Sequence, residues 1–133
     1  MVKYHVVAGT DITGFGLLGH ALKMAKSSGV GFIIDSSKVP VLEQAEELVE
    51  MGCIPGAAFR NQDFAEPDCF FEDPVIYNRK MLLMDAQTSG GLLFCCSCNS
   101  VSSLITELKE AGYPETKVIG MVTPPGRKSI LVK

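Results

Sequence analysis

Apolar residues recur along this chain at the helical and strand periods in turn. Leu17, Leu18, Ala21, Leu22 and Ala25 fall three and four apart, the spacing of one helix face, and Ser28-Gly29 supplies a stop. The pattern predicts a helix over 14–28. Val30 to Ile34 then reads as a strand, closed by the polar turn Asp35-Ser36-Ser37. A second helix is expected to begin at Pro40, with Val41, Leu42, Ala45, Leu48 and Val49 inward and Gly52 at its end. Ser100 to Ala111 predicts a third, burying Val101, Leu104, Ile105 and Leu108 before Gly112.

The shorter runs read as strands. Lys3 to Ala8 is one, and Leu92 to Cys96 looks like a central one. Met81 to Met84 is a further apolar run. Lys117 to Val122 and Ser129 to Val132 are expected to pair as a hairpin across Pro124-Pro125-Gly126. From Ile54 to Asp73 the pattern dissolves into Pro, Gly, Asn, Asp and aromatics, which predicts a long loop of the kind that is functional or an interface. Strands alternating with helices predict an α+β fold: a layered α/β sandwich with a mixed sheet, one domain over 1–133.

Composition narrows the class. With 47% hydrophobic and 20% charged residues in 133, the chain has enough apolar surface for a single core. A net charge of -3 with twelve scattered Lys and Arg speaks against a nucleic-acid surface. No apolar run reaches the roughly 18 to 20 residues that span a bilayer. Met1-Val2-Lys3 leads into no signal-peptide core, so a cytoplasmic protein is expected. The odd count of five cysteines then reads as reduced thiols, with Cys95, Cys96 and Cys98 packed as small hydrophobes in a buried strand; a redox or metal role is the alternative.

The candidate chemistry lies in two glycine-punctuated segments. The first is Thr10-Asp11-Ile12-Thr13-Gly14-Phe15-Gly16-Leu17-Leu18-Gly19-His20, and the second Asp85-Ala86-Gln87-Thr88-Ser89-Gly90-Gly91-Leu92-Leu93. Each sets a carboxylate and hydroxyls beside glycines, where bare backbone can approach a charged ligand. Residues 14–19 match the dinucleotide fingerprint G-x-G-x-x-G literally. Three features argue against that reading. Gly9 to Thr13 separate the strand from the first glycine, Asp11 would face a pyrophosphate, and the strands are too few. A hard cation such as Mg²⁺ suits Asp11 better, because it prefers carboxylate and phosphate oxygens. The competing reading is that Asp11 or Thr13 caps the helix beginning near Gly14. Asp85 reads as a turn residue, Ser89-Gly90-Gly91 as a bend into the next strand, and His20 as a packed or partly exposed histidine.

Taken together, the two segments resemble the signatures of the C-terminal half of selenophosphate synthetase (selenide, water dikinase). Val118-Ile119-Gly120-Met121-Val122 is similar to that family's closing strand, and Pro55-Gly56 with Arg60-Asn61 to a linking segment of its bacterial members. Ala86 stands where the family commonly has proline, and Phe59 where a basic residue is common. A shorter form of the first signature is shared with aminoimidazole ribonucleotide synthetase and thiamine phosphate kinase, while Phe15 and Gly19-His20 favour the selenium branch.

The resemblance implies an enzyme that uses Mg²⁺ and ATP to convert selenide and water to selenophosphate, AMP and phosphate. It implies Asp11 as a metal ligand, with Thr13, Gly14 and Gly16 lining the phosphate side of a cleft. The partner would be an N-terminal half that carries the reactive Cys or selenocysteine and most metal-binding aspartates. The full-length protein would be a homodimer, and this chain alone would be inactive. A superfamily sibling with another substrate, or a stand-alone interaction domain, are the other classes.

Overall fold

The computed structural model describes residues 2–4 and 6–133. Among these the chain runs β1 (Ala8–Asp11), α1 (Gly16–Ser28), β2 (Gly31–Ile34), α2 (Ala45–Glu50), α3 (Gly56–Ala65), β3 (Cys69–Phe71), α4 (Tyr77–Met84), β4 (Leu92–Cys95), α5 (Val101–Glu110), β5 (Gly120–Thr123) and β6 (Ile130–Val132). The strands form two sheets. β1 and β4 pair antiparallel as a two-stranded ribbon, with Ala8 opposite Cys95 and Asp11 opposite Leu92. The other sheet has the order β3-β6-β2-β5. Its first three strands are parallel and β5 runs antiparallel to β2, which makes it the mixed sheet of the expected α+β fold.

The core lies between this sheet and a layer of helices. Leu18, Ala21, Leu22 and Ala25 of α1 are buried, as their spacing requires. The helix stops where Gly29 turns left-handed at φ 64° and its N–H returns to the Ala25 and Lys26 carbonyls. Phe32 and Ile34 of β2, Ile130 and Val132 of β6, and Met81, Leu83 and Met84 of α4 complete the same cluster.

Several elements differ from the sequence pattern, each for a physical reason. Residues 54–73 are not a loop: they hold α3, a 3₁₀ turn at Glu66–Asp68, and β3. The buried face of α3 is Ala58, Asn61 and Ala65, small or polar residues that leave no apolar stripe to read. Met81 to Met84 is the last turn of α4. The second helix starts at Ala45 rather than Pro40, and of its expected inward residues Val49 is buried while Leu42 and Leu48 are exposed. The strand expected over 3–8 includes His5, which lies outside the described residues; Val2–Tyr4 form a 3₁₀ turn and β1 starts at Ala8.

The closing hairpin is also replaced. β5 and β6 both pair with β2, one on each side, so the 124–129 connection crosses the end of β2 instead of turning back on itself. Gly31 makes room for that crossing. A Cβ there would sit 2.7 Å from Thr123 Oγ1 and 3.0 Å from the Pro124 carbonyl oxygen.

Candidate functional site

The two glycine-punctuated segments, far apart in sequence, close into one constellation at the end of the ribbon. Ile12 N–H donates to the Gly91 carbonyl at 2.9 Å, and Gln87 N–H to the Thr13 carbonyl at 3.1 Å. Two glycines permit the approach. A Cβ on Gly90 would lie 2.2 Å from the Ile12 carbonyl oxygen. At Gly16 it would lie 2.7 Å from the Met84 carbonyl group, and Gly16 holds φ at +64°, the left-handed region that favours glycine. Backbone lies on backbone at both points, so no side-chain rearrangement could relieve an added methyl.

Asp11 is the last residue of β1 and is exposed. It does not cap α1. That helix begins at Gly16 with Phe15 in the capping position and, among the described residues, no side-chain cap bond, which removes the capping alternative for Asp11 and Thr13 alike. Thr13 is held instead by His20, one turn into α1. The Thr13 N–H donates to His20 Nε2 at 3.1 Å, and the Thr13 hydroxyl lies at the same distance. Because the amide donates, Nε2 is the unprotonated nitrogen of the ring. His20 therefore has a definite task, orienting the turn, beyond mere packing.

Phe15 lies over the same turn. Its ring meets His20 edge-on and Phe64 of α3 at a tilt, both with centroids 5.7 Å apart, and Lys23 Nζ stands 3.4 Å above its face. Gly19 clears the space, since a Cβ there would come within 2.8 Å of the Phe15 Cβ. Gly14 is exposed at the tip of the turn with open space beside it. Gly16 N–H is given to the Thr13 carbonyl at 3.0 Å, so Gly16 shapes the turn while Gly14 faces outward.

On the other side, Asp85 follows the end of α4. Its Oδ2 accepts from Gln87 Nε2 at 3.0 Å, while Oδ1 is enclosed without a hydrogen-bond partner among the described residues. Asn61 was legible only as part of a linking segment, yet it sits buried against both turns. Its Nδ2 donates to the Gly14 and Met84 carbonyls, each at 2.9 Å.

The whole chain, residues 1–133, matches the family of AIR synthase related proteins, in their C-terminal domain. The chain belongs to this family. Its relatives are consistent with that domain. It is 48% identical over 124 residues to a selenide, water dikinase of Porphyromonas gingivalis, covering 92% of this chain and 35% of the relative. The enzyme of the same name from Clostridioides difficile is 42% identical, with 98% of this chain and 37% of the relative covered. That of Aliarcobacter butzleri is 38% identical, with 99% and 38% covered. The chain thus spans about a third of the length of these relatives.

Within this family domain the dinucleotide reading fails on topology. β1 runs on to Asp11, leaving only Ile12 and Thr13 before Gly14, so the turn is tight after all. Its strand partner, however, is the antiparallel β4, whereas a dinucleotide-binding unit places β1 parallel to the strand after the helix. Among the described residues no three His, Cys, Asp or Glu side chains converge on a metal position. A cleft of about 480 Å³ lies elsewhere, lined by Ser36, Val39, Pro40, Ile76 and Arg79, and none of the two turns' residues borders it.

The cysteines depart from the packed-strand expectation. All five are free. Cys95 ends β4 half-buried, Cys96 is half-buried beyond it, and Cys98 is exposed in a 3₁₀ turn at Cys98–Ser100. Cys95 and Cys98 have C-x-x-C spacing, which the packing reading leaves out of account. Burial pushes the Cys95 thiol up, opposite to the lowered thiol of a reactive C-x-x-C pair. Cys69, buried in β3, is pushed up to about 12 by burial and by neighbouring Asp68.

Proposed function

We propose that this chain is the C-terminal domain of a selenide, water dikinase, which makes selenophosphate, AMP and phosphate from ATP, selenide and water. One observation carries the reading: the two signature turns interlock around Ile12, Thr13, Gln87 and Gly91 and leave Asp11 and Gly14 on the open side. The names of the relatives support the substrates, and their length supports a two-domain enzyme whose N-terminal ATP-binding half lies outside these residues. A surface turn with a single exposed carboxylate is what one side of a cleft shared between two domains presents.

The donor chemistry at the turn fits Mg²⁺. Asp11 offers a hard, exposed carboxylate, Thr10 and Thr13 supply hydroxyl oxygens nearby in the chain, and the Nε2 of His20 is already taken by Thr13. Asp11 would hold the metal together with aspartates of the N-terminal half. When bound, Mg²⁺ supplies charge neutralisation for phosphoryl transfer, a reaction in which positioning and electrostatics do most of the catalysis. Thr13 and Gly14 would face the phosphates, and Gly16 would fix the turn that presents them. Two exposed apolar residues, Val7 just before β1 and Leu92 of β4, would be covered by that same N-terminal half. The unpaired thiols support a reducing cytoplasm, and the full-length enzyme is taken to be a homodimer.

The test is turnover. Full-length protein is expected to form AMP from ATP only when selenide is present, and this chain alone to form none. Turnover with an aminoimidazole ribonucleotide precursor or thiamine phosphate instead would assign it to a sibling enzyme. Asp11→Asn in the full-length protein should lower turnover about a hundredfold or more while melting stays near wild type. A stable, fully active Asn variant would leave Asp11 without a role in the reaction.

A further inference from the structure

Asn61 is the side chain on which the two turns are jointly hung. It lies in the middle of α3, on a face otherwise made of Ala58 and Ala65, and is itself nearly sealed from solvent. A buried amide with both N–H groups on main-chain carbonyls is a costly choice for a core position that alanine could fill. The carbonyls are informative. One belongs to Gly14, at the exposed tip of the first turn, and the other to Met84, directly before Asp85. Met84 is also the residue against which Gly16 packs. One amide nitrogen therefore fixes where the first turn stands relative to the start of the second.

We propose that Asn61 is a positioning residue for the phosphoryl-transfer site, setting the placement of the Asp11–Gly14 turn against the Asp85–Gly91 turn. This rests on the reading of the chain given under Proposed function. The direct links between the turns, Ile12 to Gly91 and Gln87 to Thr13, fix the strand end. They do not reach the tip. Gly14 has open space beside it, and its Asn61 bond anchors that tip to the helical layer. Asn61 Nδ2 is taken up by these two carbonyls, so it acts through Gly14 and through the Met84–Asp85 junction.

Replacing Asn61 by Asp keeps size and shape but sets a carboxylate oxygen against two carbonyls. Two measurements then separate the clamp from the enzyme. Amide exchange of this chain reads the clamp alone. In Asn61→Asp the Ile12, Thr13 and Gln87 amides should exchange at least tenfold faster than in wild type, with the β2 and β6 amides unchanged. Turnover of the full-length protein reads the consequence. The variant should lose about a hundredfold in kcat, on the scale of a misplacement of an ångström, and need about tenfold more Mg²⁺ for half-maximal rate. Leu104→Ala in α5, a buried residue outside the core cluster that includes Met84, serves as a destabilised control that should keep both wild-type kcat and Mg²⁺ dependence.

Unchanged exchange at Ile12, Thr13 and Gln87 in a folded Asn61→Asp would overturn the clamp, whatever the enzyme does. Faster exchange with wild-type turnover and Mg²⁺ dependence would overturn its role in positioning. Faster exchange together with a wild-type protein that shows no selenide-dependent turnover would retain the clamp and remove the functional reading beneath it. Should Asn61→Asp not fold, Asn61→Ala, which lets water reach the two carbonyls, carries the same readouts.

Discussion

The four-stranded sheet and the β1–β4 ribbon are both built of strands three or four residues long, yet they end in opposite states. Ile130 and Val132 of β6 are completely buried, whereas Leu92 of β4 is 62% exposed and Leu93, Phe94 and Cys95 are only half-covered. The difference is coverage. β6 lies between two strands with helices packed over it, while the ribbon has one partner per strand and meets α1 at β1. A two-stranded ribbon is marginal by itself in water. The candidate site stands at the end of this weaker region, where Gly90 and Gly16 lie against facing backbone and His20 and Asn61 hold the turns. Precision at the turns comes from local fastening rather than from a thick core.

The comparison is tested most severely by paired truncations. Leu22→Ala in α1 should cost about 2 to 5 kcal/mol, since it leaves a cavity in close-packed core. Leu92→Ala should stay within about 0.5 kcal/mol in this chain. Urea melts of both variants decide it, and equal losses would erase the distinction between the regions. The same Leu92→Ala change in the full-length protein should cost more if the N-terminal half covers the ribbon.

Next in size is Gly90→Ala, which forces a methyl into the Ile12 carbonyl. A loss of about 1 to 3 kcal/mol is expected. It should come with faster amide exchange in β1 and β4, while β2 and β6 stay protected in the folded state. Thiol alkylation of native protein gives a chemical version of the contrast. Cys53 and Cys98, both exposed, should react first and Cys95 more slowly. Cys69, in the sheet and pushed up to about 12, should react only on unfolding. Rapid labelling of Cys69 at pH 8 would contradict the closed sheet.

The smallest effect concerns the turn after β2. The Ser37 hydroxyl, and then Lys38, hold the Asp35 carboxyl down to about 2 from 3.8. A depressed carboxylate contributes stability that is present above its unfolded pKa and is lost as pH falls through its folded one. The contribution should therefore fade between pH 4 and 2. Asp35→Asn should flatten the acid limb of a melting-temperature profile over that window and leave the profile above pH 5 parallel to wild type.

What could be read in the sequence follows the same division. α1, β2 and α5 were legible because large apolar residues repeat at one clear period. Leu18 and Leu22, or Phe32 and Ile34, report their own burial. α3 was invisible for the reverse reason. A helix that packs closely enough for Asn61 to reach two main-chain carbonyls must show small residues inward, and Ala58 and Ala65 carry almost no pattern. Phe59 and Phe64, its large apolar residues, are substantially exposed. Leu92 to Cys96 misled in the other direction, as an apolar run whose burial is not completed by these residues. At the site, the two turns were identified by residue type, but their union was not. No local rule joins Gly90 to Ile12, because the contact is tertiary and glycine's part in it is the absence of an atom.

The placement of β6 has a consequence for how the chain is made. β3 and β2 do not touch as strands; Ile130 to Val132 slot between them, with Phe32 opposite Ile130 and Cys69 opposite the same residue. Until those residues leave the ribosome, the two earlier strands share no hydrogen bonds and the helices above have only a split floor to rest on. The sheet is therefore keyed by a late segment, across a separation that makes its closure slow relative to the helices. A nascent chain stalled before Ile130 holds its apolar strands apart and open, and it is in that interval that the domain is most exposed to wrong pairings.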